Sequence, residues 1–175
     1  MDLPECYKDM YRGIKAETYI IPEGTILYSG SRRIPSEQNM KNSKSRYTYF
    51  STICDVAIRF ATNFGTTNGY LTKYRVNHPL TIFLQRDALN TYYFDTQASY
   101  ASEEAQCLCQ KNFHGYASWS SEIGNIEDIA LCNHIFEDHL LEREILYSVT
   151  RDKKNCQSLS GGKRKRRTVR NKRRR

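Results

Sequence analysis

What this chain can fold into is constrained most by one stretch, Thr25 to Ala61. It opens with Thr25-Ile26-Leu27-Tyr28-Ser29-Gly30, an apolar run ending at a glycine flanked by hydroxyls, which predicts a strand running into a tight turn. After a polar loop, Tyr47-Thr48-Tyr49-Phe50-Ser51-Thr52 alternates aromatic and hydroxyl residues as a half-buried strand does. Ser51 or Thr52 then stands where a helix cap belongs, Asp55 falls in the first turn, and Val56, Ile58, Phe60 and Ala61 give an apolar stripe. This order brings Ser29, Ser31, Arg32, Tyr49, Ser51 and Thr52 toward common strand ends, where a site can form.

Around that unit the pattern is strand-rich. Thr18–Ile21 is a short strand closed by Pro22-Glu23-Gly24, and residues 31–46 form a polar, solvated loop. Tyr70, Thr72, Tyr74 and Val76 alternate with Leu71, Lys73 and Arg75 as the two faces of one strand. Asn77-His78-Pro79 interrupts before Leu80–Leu84, which predicts a hairpin or a single bent edge strand, since Pro79 cannot donate to a ladder. Residues 86–114 read as mostly helical, with Ser102-Glu103-Glu104-Ala105 as a helix start. Gly115–Trp119, Glu127–Cys132 and Glu144–Val149 read as strands. Thirteen Tyr and seven Phe against one Trp favour the same conclusion, because aromatic side chains suit pleated surfaces. The expectation is an α+β domain with a mixed, mostly antiparallel split sheet and helices packed on it.

The net charge of +8 misleads until it is divided. Ten cations stand in the last thirteen residues: Lys163, Arg164, Lys165, Arg166, Arg167, Arg170, Lys172, Arg173, Arg174 and Arg175. The remaining 162 residues carry 17 Lys or Arg against 19 Asp or Glu, a charge of −2. The division is therefore a compact body, 1–155, and a flexible basic tail, 156–175, joined through Ser158-Leu159-Ser160-Gly161-Gly162. Such a tail binds nucleic acid or another polyanion by counterion release, with non-specific affinities on the order of 10⁻⁴–10⁻⁶ M. Lys163–Arg167 also has the makeup of a nuclear localisation signal, which makes a nuclear import receptor a second expected partner. The first residues lack the basic and apolar regions of a secretory leader, and no apolar run is long enough to span a membrane. An intracellular protein with no membrane partner is expected. On that basis the six cysteines, Cys6, Cys54, Cys107, Cys109, Cys132 and Cys156, are expected to be reduced.

The order of these pieces is similar to the ADP-ribosyltransferase fold. Leu27-Tyr28-Ser29-Gly30-Ser31-Arg32 resembles that superfamily's first motif, with Ser29 standing where the family has His or Arg. Tyr49-Phe50-Ser51-Thr52 resembles the second, and Glu142-Arg143-Glu144-Ile145-Leu146-Tyr147 resembles a Glu-x-Glu at the start of the last strand. The resemblance implies NAD as substrate, with ADP-ribosyl transfer to protein or nucleic acid. It implies Glu144 as catalytic carboxylate, assisted by Glu142 and Ser51, with Ser29, Gly30, Ser31, Arg32 and Tyr49 binding NAD. A carboxylate suits that chemistry because cleavage at the nicotinamide ribose develops positive charge. Glu127, which also opens a strand, is the spare carboxylate. The layout also resembles uncharacterised proteins of large DNA viruses of protists, which implies a virion, a viral factory or the host nucleus. The rival expectation is a catalytically inactive structural or packaging protein, virion-associated and held to nucleic acid by the tail.

Cys107-x-Cys109-x4-His114 and Cys132-x-His134-x4-His139 share their spacing, so six donors recur at matching offsets. A zinc-stabilised binding module is a third class of function such donors allow. Cys-x-Cys on a helix turns its thiols about 200° apart, however, and zinc knuckles use longer gaps. The spacing alone therefore speaks against zinc, and no metal ligand is assigned.

Overall fold

Alternation and turn chemistry decide most of the elements. The computed structural model describes residues 16–35, 47–85, 109, 113–118, 128–157 and 159. Within them, strands β1 (Ala16–Ile21), β2 (Ile26–Ser31) and β3 (Tyr47–Phe50) precede helix α1 (Cys54–Ala61). Strands β4 (Gly69–Val76), β5 (Leu80–Gln85), β6 (Gly115–Ser118) and β7 (Asp128–Cys132) follow, then the single turn α2 (His134–Glu137) and the last strand, β8 (Leu141–Val149). One sheet has the order β1-β5-β6-β7-β3, antiparallel except for the parallel pair β5–β6; the other is the antiparallel β2-β4-β8. The α+β class with split, mostly antiparallel sheets is as the sequence predicts.

Register fixes which side chains share a face of the small sheet. Leu27–Tyr74–Arg143, Ser29–Thr72–Leu146 and Ser31–Tyr70–Ser148 form three rows on one side. Tyr28–Lys73–Ile145 and Ile26–Arg75–Glu142 form rows on the other, with Glu144 the extra residue of a bulge opposite Lys73 and Tyr74. The first face turns toward the five-stranded sheet, where Leu27, Tyr74 and Val76 pack with Phe50, Ile129 and Leu131. Phe50 meets Tyr74 edge-on at 5.5 Å between ring centres. The opposite face is covered at one end by α1, whose Ala57, Ile58 and Ala61 bury Leu71 and Val149.

Two glycines let α1 sit that low. A Cβ on Gly30 would lie 2.0 Å from the Ala57 carbonyl oxygen, and one on Gly69 would lie 1.9 Å from that of Ala61. The helix begins after the extended Ile53, whose N–H donates to Ser51 Oγ at 3.0 Å. Ser51 and Thr52 thus stand just before the helix, and the expected side-chain cap is absent; Ile53 holds the cap position. Asp55 spends its carboxylate on the Cys156 N–H at 2.8 Å.

Two expectations are corrected. The break at Asn77–Pro79 makes neither a hairpin nor a bent strand: β4 lies in the small sheet and β5 in the large one, so the break carries the chain between sheets. The four cysteines among the described residues are not reduced: Cys54 bonds Cys156 and Cys109 bonds Cys132, across 102 and 23 residues of sequence. No local spacing signals such pairs, but the fold brings their Cα atoms to 6.1 and 5.9 Å, within disulfide range. Cys156 and Leu159 pack on the cluster beneath α1. Of the stretch 86–114 expected as mostly helical, residue 109 is a turn and 113–114 are not helical, and the rest lies outside the described residues, as do the loop 36–46, Glu127 and the cations of 163–175. No helix among the described residues is long and apolar enough to cross a membrane.

Candidate functional site

The two sheets are stitched at one point. Tyr28 on β2 and Ser51 after β3 exchange both backbone hydrogen bonds, each at 2.8 Å, and Ser29 Oγ donates to the Tyr49 carbonyl at 2.9 Å. The seam thus brings together Ser29, Tyr49 and Ser51, as the sequence predicts. Tyr49 is half exposed there, while Ser51 is buried. Ser31 is used locally: its Oγ donates to the Arg33 carbonyl at 2.7 Å and accepts the Arg33 N–H, closing the turn that leaves Arg32 exposed. Gly30 lies beneath α1, so its missing side chain makes room for the helix rather than for a ligand.

The two glutamates of the last strand do not reach that seam. Glu144 pairs with Lys73 at 3.4 Å and with Arg75 at 3.6 Å, and Glu142 pairs with Arg75 at 2.8 Å. They share a face with Tyr28 but lie three strand positions from Ser51, roughly 14 Å at the usual strand spacing. Ser29 and Ser31 lie on the opposite face. The predicted site is therefore divided by the sheet: the seam holds one half and the end of β8 the other.

A cavity of about 550 Å³ opens at that second place. Tyr74, Phe136 and Leu141 supply its apolar lining, and Tyr74 and Phe136 face each other at 5.8 Å between ring centres. Glu142, Arg143 and His139 supply charge and hydrogen-bonding capacity. Arg143 is oriented by donating to the Pro35 carbonyl at 3.1 Å, which folds the segment after β2 back over the mouth. Burial raises the pKa of the Tyr74 phenol, opposed by the positive charge of Arg143 and by the neighbouring Thr72 hydroxyl. That hydroxyl is wholly buried, yet its Oγ1 meets no partner of hydrogen-bonding geometry.

Of the predicted residues among those described, Glu142 alone lines this cavity. Tyr74, Phe136, His139 and Arg143 were missed. Arg143 was legible in principle: between Glu142 and Glu144, strand alternation sends it to the other face. Phe136 and His139 come from a single helical turn and its exit, with His139 in the left-handed region at φ 56, and no periodicity marks so short an element.

No family model and no curated protein matches the sequence. Among solved structures, the chain is similar to the Mycobacterium tuberculosis MbcT–MbcA toxin–antitoxin complex, with a TM-score of 0.50 and 11% sequence identity. The similarity covers 77% of this chain and 88% of that one. At that identity the likeness bears on the fold alone, the α+β arrangement of two mostly antiparallel sheets described above.

Proposed function

We propose that this protein is an NAD-consuming enzyme whose dinucleotide occupies the cavity beside Tyr74 and Arg143. The observation that carries the reading is the cavity itself. Its size falls within the roughly 300–1,000 Å³ of small-molecule sites, and it joins paired aromatic rings, a guanidinium and a carboxylate in an ADP-ribosyltransferase-like fold. In this reading Arg143 binds the pyrophosphate, as a planar fork of donors suits phosphate oxygens. Tyr74 and Phe136 pack on the nicotinamide. Glu142 faces the ribose carbon as the glycosidic C–N bond breaks, nicotinamide leaves with the electron pair, and an acceptor nucleophile adds with loss of its proton. Arg75, bonded to both Glu142 and Glu144, fixes the first carboxylate in position and keeps the second beside it. The likeness to a toxin–antitoxin complex supports an enzyme of this class.

Nicotinamide release from labelled NAD tests the reading, with isothermal titration of NAD as a separate measure of binding. Wild type is expected to release nicotinamide and Glu142→Gln to bind NAD while releasing little. Arg143→Ala is expected to weaken binding about tenfold or more, the usual worth of a charge-assisted hydrogen bond. Neither binding nor release by wild type would refute it.

A second reading is favoured by a specific observation. Both glutamates are engaged by Lys73 and Arg75, and Ser29 stands where the family has a charged residue. The domain is then catalytically silent and acts as the folded end of a polyanion-binding tail. It predicts that deleting residues 160–175 abolishes retention of nucleic acid without altering the thermal transition, while NAD has no effect on either protein.

A further inference from the structure

The fold gathers donors that the sequence offers only as two matching motifs. Cys132 ends β7 and is buried; His134 opens α2; Cys109 reaches across to bond Cys132. One ligand atom from each of Cys109, Cys132 and His134 lies within 4.8 Å of the other two. This answers the objection drawn from spacing. Cys-x-Cys need not turn both thiols to one centre, because each strand or segment contributes its own donor.

His114 stands next to the group, its ring 6.0 Å from that of His134. It is excluded as a ligand by its hydrogen bond. Nδ1 accepts the Thr81 N–H at 2.9 Å, so the proton of the neutral ring sits on Nε2, leaving no lone pair for a cation. His134 makes no such commitment through its ring to the described residues. The contrast with Cys54–Cys156 is informative. That disulfide anchors the end of the body on α1 and packs among apolar residues, and among the described residues no imidazole groups with its sulfurs. A bond needed only for stability has no use for one.

We propose that Cys109, Cys132 and His134 form a zinc site that alternates with the Cys109–Cys132 disulfide. In the oxidised protein the two sulfurs bond each other and the site holds no metal. A dithiol reductant cleaves the bond: two electrons and two protons pass to the sulfurs, and the reductant leaves as its own disulfide. Zn²⁺ then displaces the two thiol protons and is held by two thiolates and the His134 imidazole, with water in the fourth position of the tetrahedron. Two sulfurs and one imidazole suit zinc above harder cations. The site lies at the β7–α2 corner, so its state sets how firmly β7 is tied to the segment at Cys109.

The test uses the full chain, purified once under a thiol reductant with added zinc and once oxidised, with disulfides mapped by mass spectrometry. Metal content and competition with a chromogenic chelator read binding, and cobalt substitution reads ligand type through its thiolate charge-transfer band. The reduced protein is expected to hold about one zinc, the oxidised protein none. His134→Ala is expected to weaken binding by at least about 100-fold, beyond the loss typical of outer-shell changes, and Cys132→Ser to diminish the charge-transfer band to what one thiolate gives. Cys156→Ser is expected to leave zinc affinity unchanged. Should Cys132→Ser not fold, His134→Ala carries the test, since its half-buried ring supports no packed cluster. A folded, reduced protein without zinc, or zinc affinity indifferent to His134, overturns the proposal.

Discussion

Substituting Gly30 by alanine puts a methyl 2.0 Å from the Ala57 carbonyl oxygen and 2.5 Å from the Ala61 nitrogen, both backbone atoms of α1. Neither can step aside alone, so the helix must lift. Restoring an ordinary 3.4 Å contact requires a displacement of about 1.4 Å, since the backbone of Ala57 cannot rotate away. Beneath it, Ile58, Ala61 and Leu71 are wholly buried. A radial gap of about 0.5–1 Å already forfeits a quarter to a half of a dispersion contact. If the large side chains Ile58 and Leu71 each contribute about 1.5–3 kcal/mol by burial, the lifted helix loses about 1–3 kcal/mol. Overpacking strain adds about 1–3 kcal/mol more. The expected cost is thus about 2–6 kcal/mol, a large share of the ~5–15 kcal/mol that holds a domain folded. Urea unfolding should show it as a lower midpoint with unchanged slope, and thermal melting as a fall of about 10 °C or more. Gly69→Ala meets the Ala61 carbonyl of the same helix, so the double variant should cost at least about 1 kcal/mol less than the sum of the singles. Gly24→Ala is the control: nothing lies within 4 Å, and its φ of +84° leaves only a conformational cost of about 1–2 kcal/mol. A loss below about 1 kcal/mol for Gly30→Ala would refute the reasoning.

Three further outcomes follow from the same geometry. Cys156→Ser opens a disulfide whose partners are 102 residues apart, and it should lower stability by about 2–5 kcal/mol under oxidising conditions; equal unfolding midpoints would show that the bond contributes nothing. Retention on nucleic acid by the full chain should fall steeply with salt and vanish on deletion of the ten cations of 163–175, whereas binding that ignores salt would place the contact elsewhere. The raised pKa of Tyr74 means that the folded state holds the phenolic proton more tightly than the unfolded chain. Its contribution is complete below about pH 10 and is lost as pH rises through the folded value. Tyr74→Phe should therefore flatten the alkaline limb of the stability curve, and an unchanged limb would assign that loss to another group.

Much of this fold was legible because it is local. β2, β3, α1 and β8 announce themselves through Leu27-Tyr28, the Tyr47–Phe50 alternation, the stripe of Ile58 and Ala61, and Ile145–Val149. What was not legible depends on partners distant in sequence. Asn77–Pro79 looks the same whether the next strand returns along β4 or leaves for another sheet, since the residues that decide it are Ala16–Ile21, which pair with β5. The disulfides are of the same kind. So is the role of Gly30: a glycine between two serines reads as a turn, and only the packed helix shows that it is an absence of side chain.

The candidate site turns on a single extra residue that no sequence pattern marks. Lys73 pairs with Ile145, but Tyr74 pairs with Arg143, so Glu144 is passed over. Without that bulge the register would run Tyr74 to Glu144, Arg75 to Arg143 and Val76 to Glu142, because one residue of slip exchanges the faces. Two carboxylates would then turn toward the apolar core with Leu27, Phe50 and Tyr74, and Arg143 would lie directly against Arg75. Unpaired burial of charge and opposed like charges are both costly. The bulge reverses each term at once: Glu142 reaches Arg75, Glu144 reaches Lys73 and Arg75, and Arg143 is aimed into the cavity beside Tyr74. Charge pairing between β4 and β8 therefore selects the bulged register, and that register places the Arg143 guanidinium in the cavity. It follows that the charges of Lys73 and Arg75 matter to Arg143 although neither touches it. Reversing them together to Glu removes the preference for the bulge, and Arg143 should leave the cavity without being mutated. Loss of NAD binding in that variant, with binding regained when Glu142 and Glu144 are changed to Lys, is the expected result. Binding indifferent to the reversal would mean that the backbone, not the charges, holds the register.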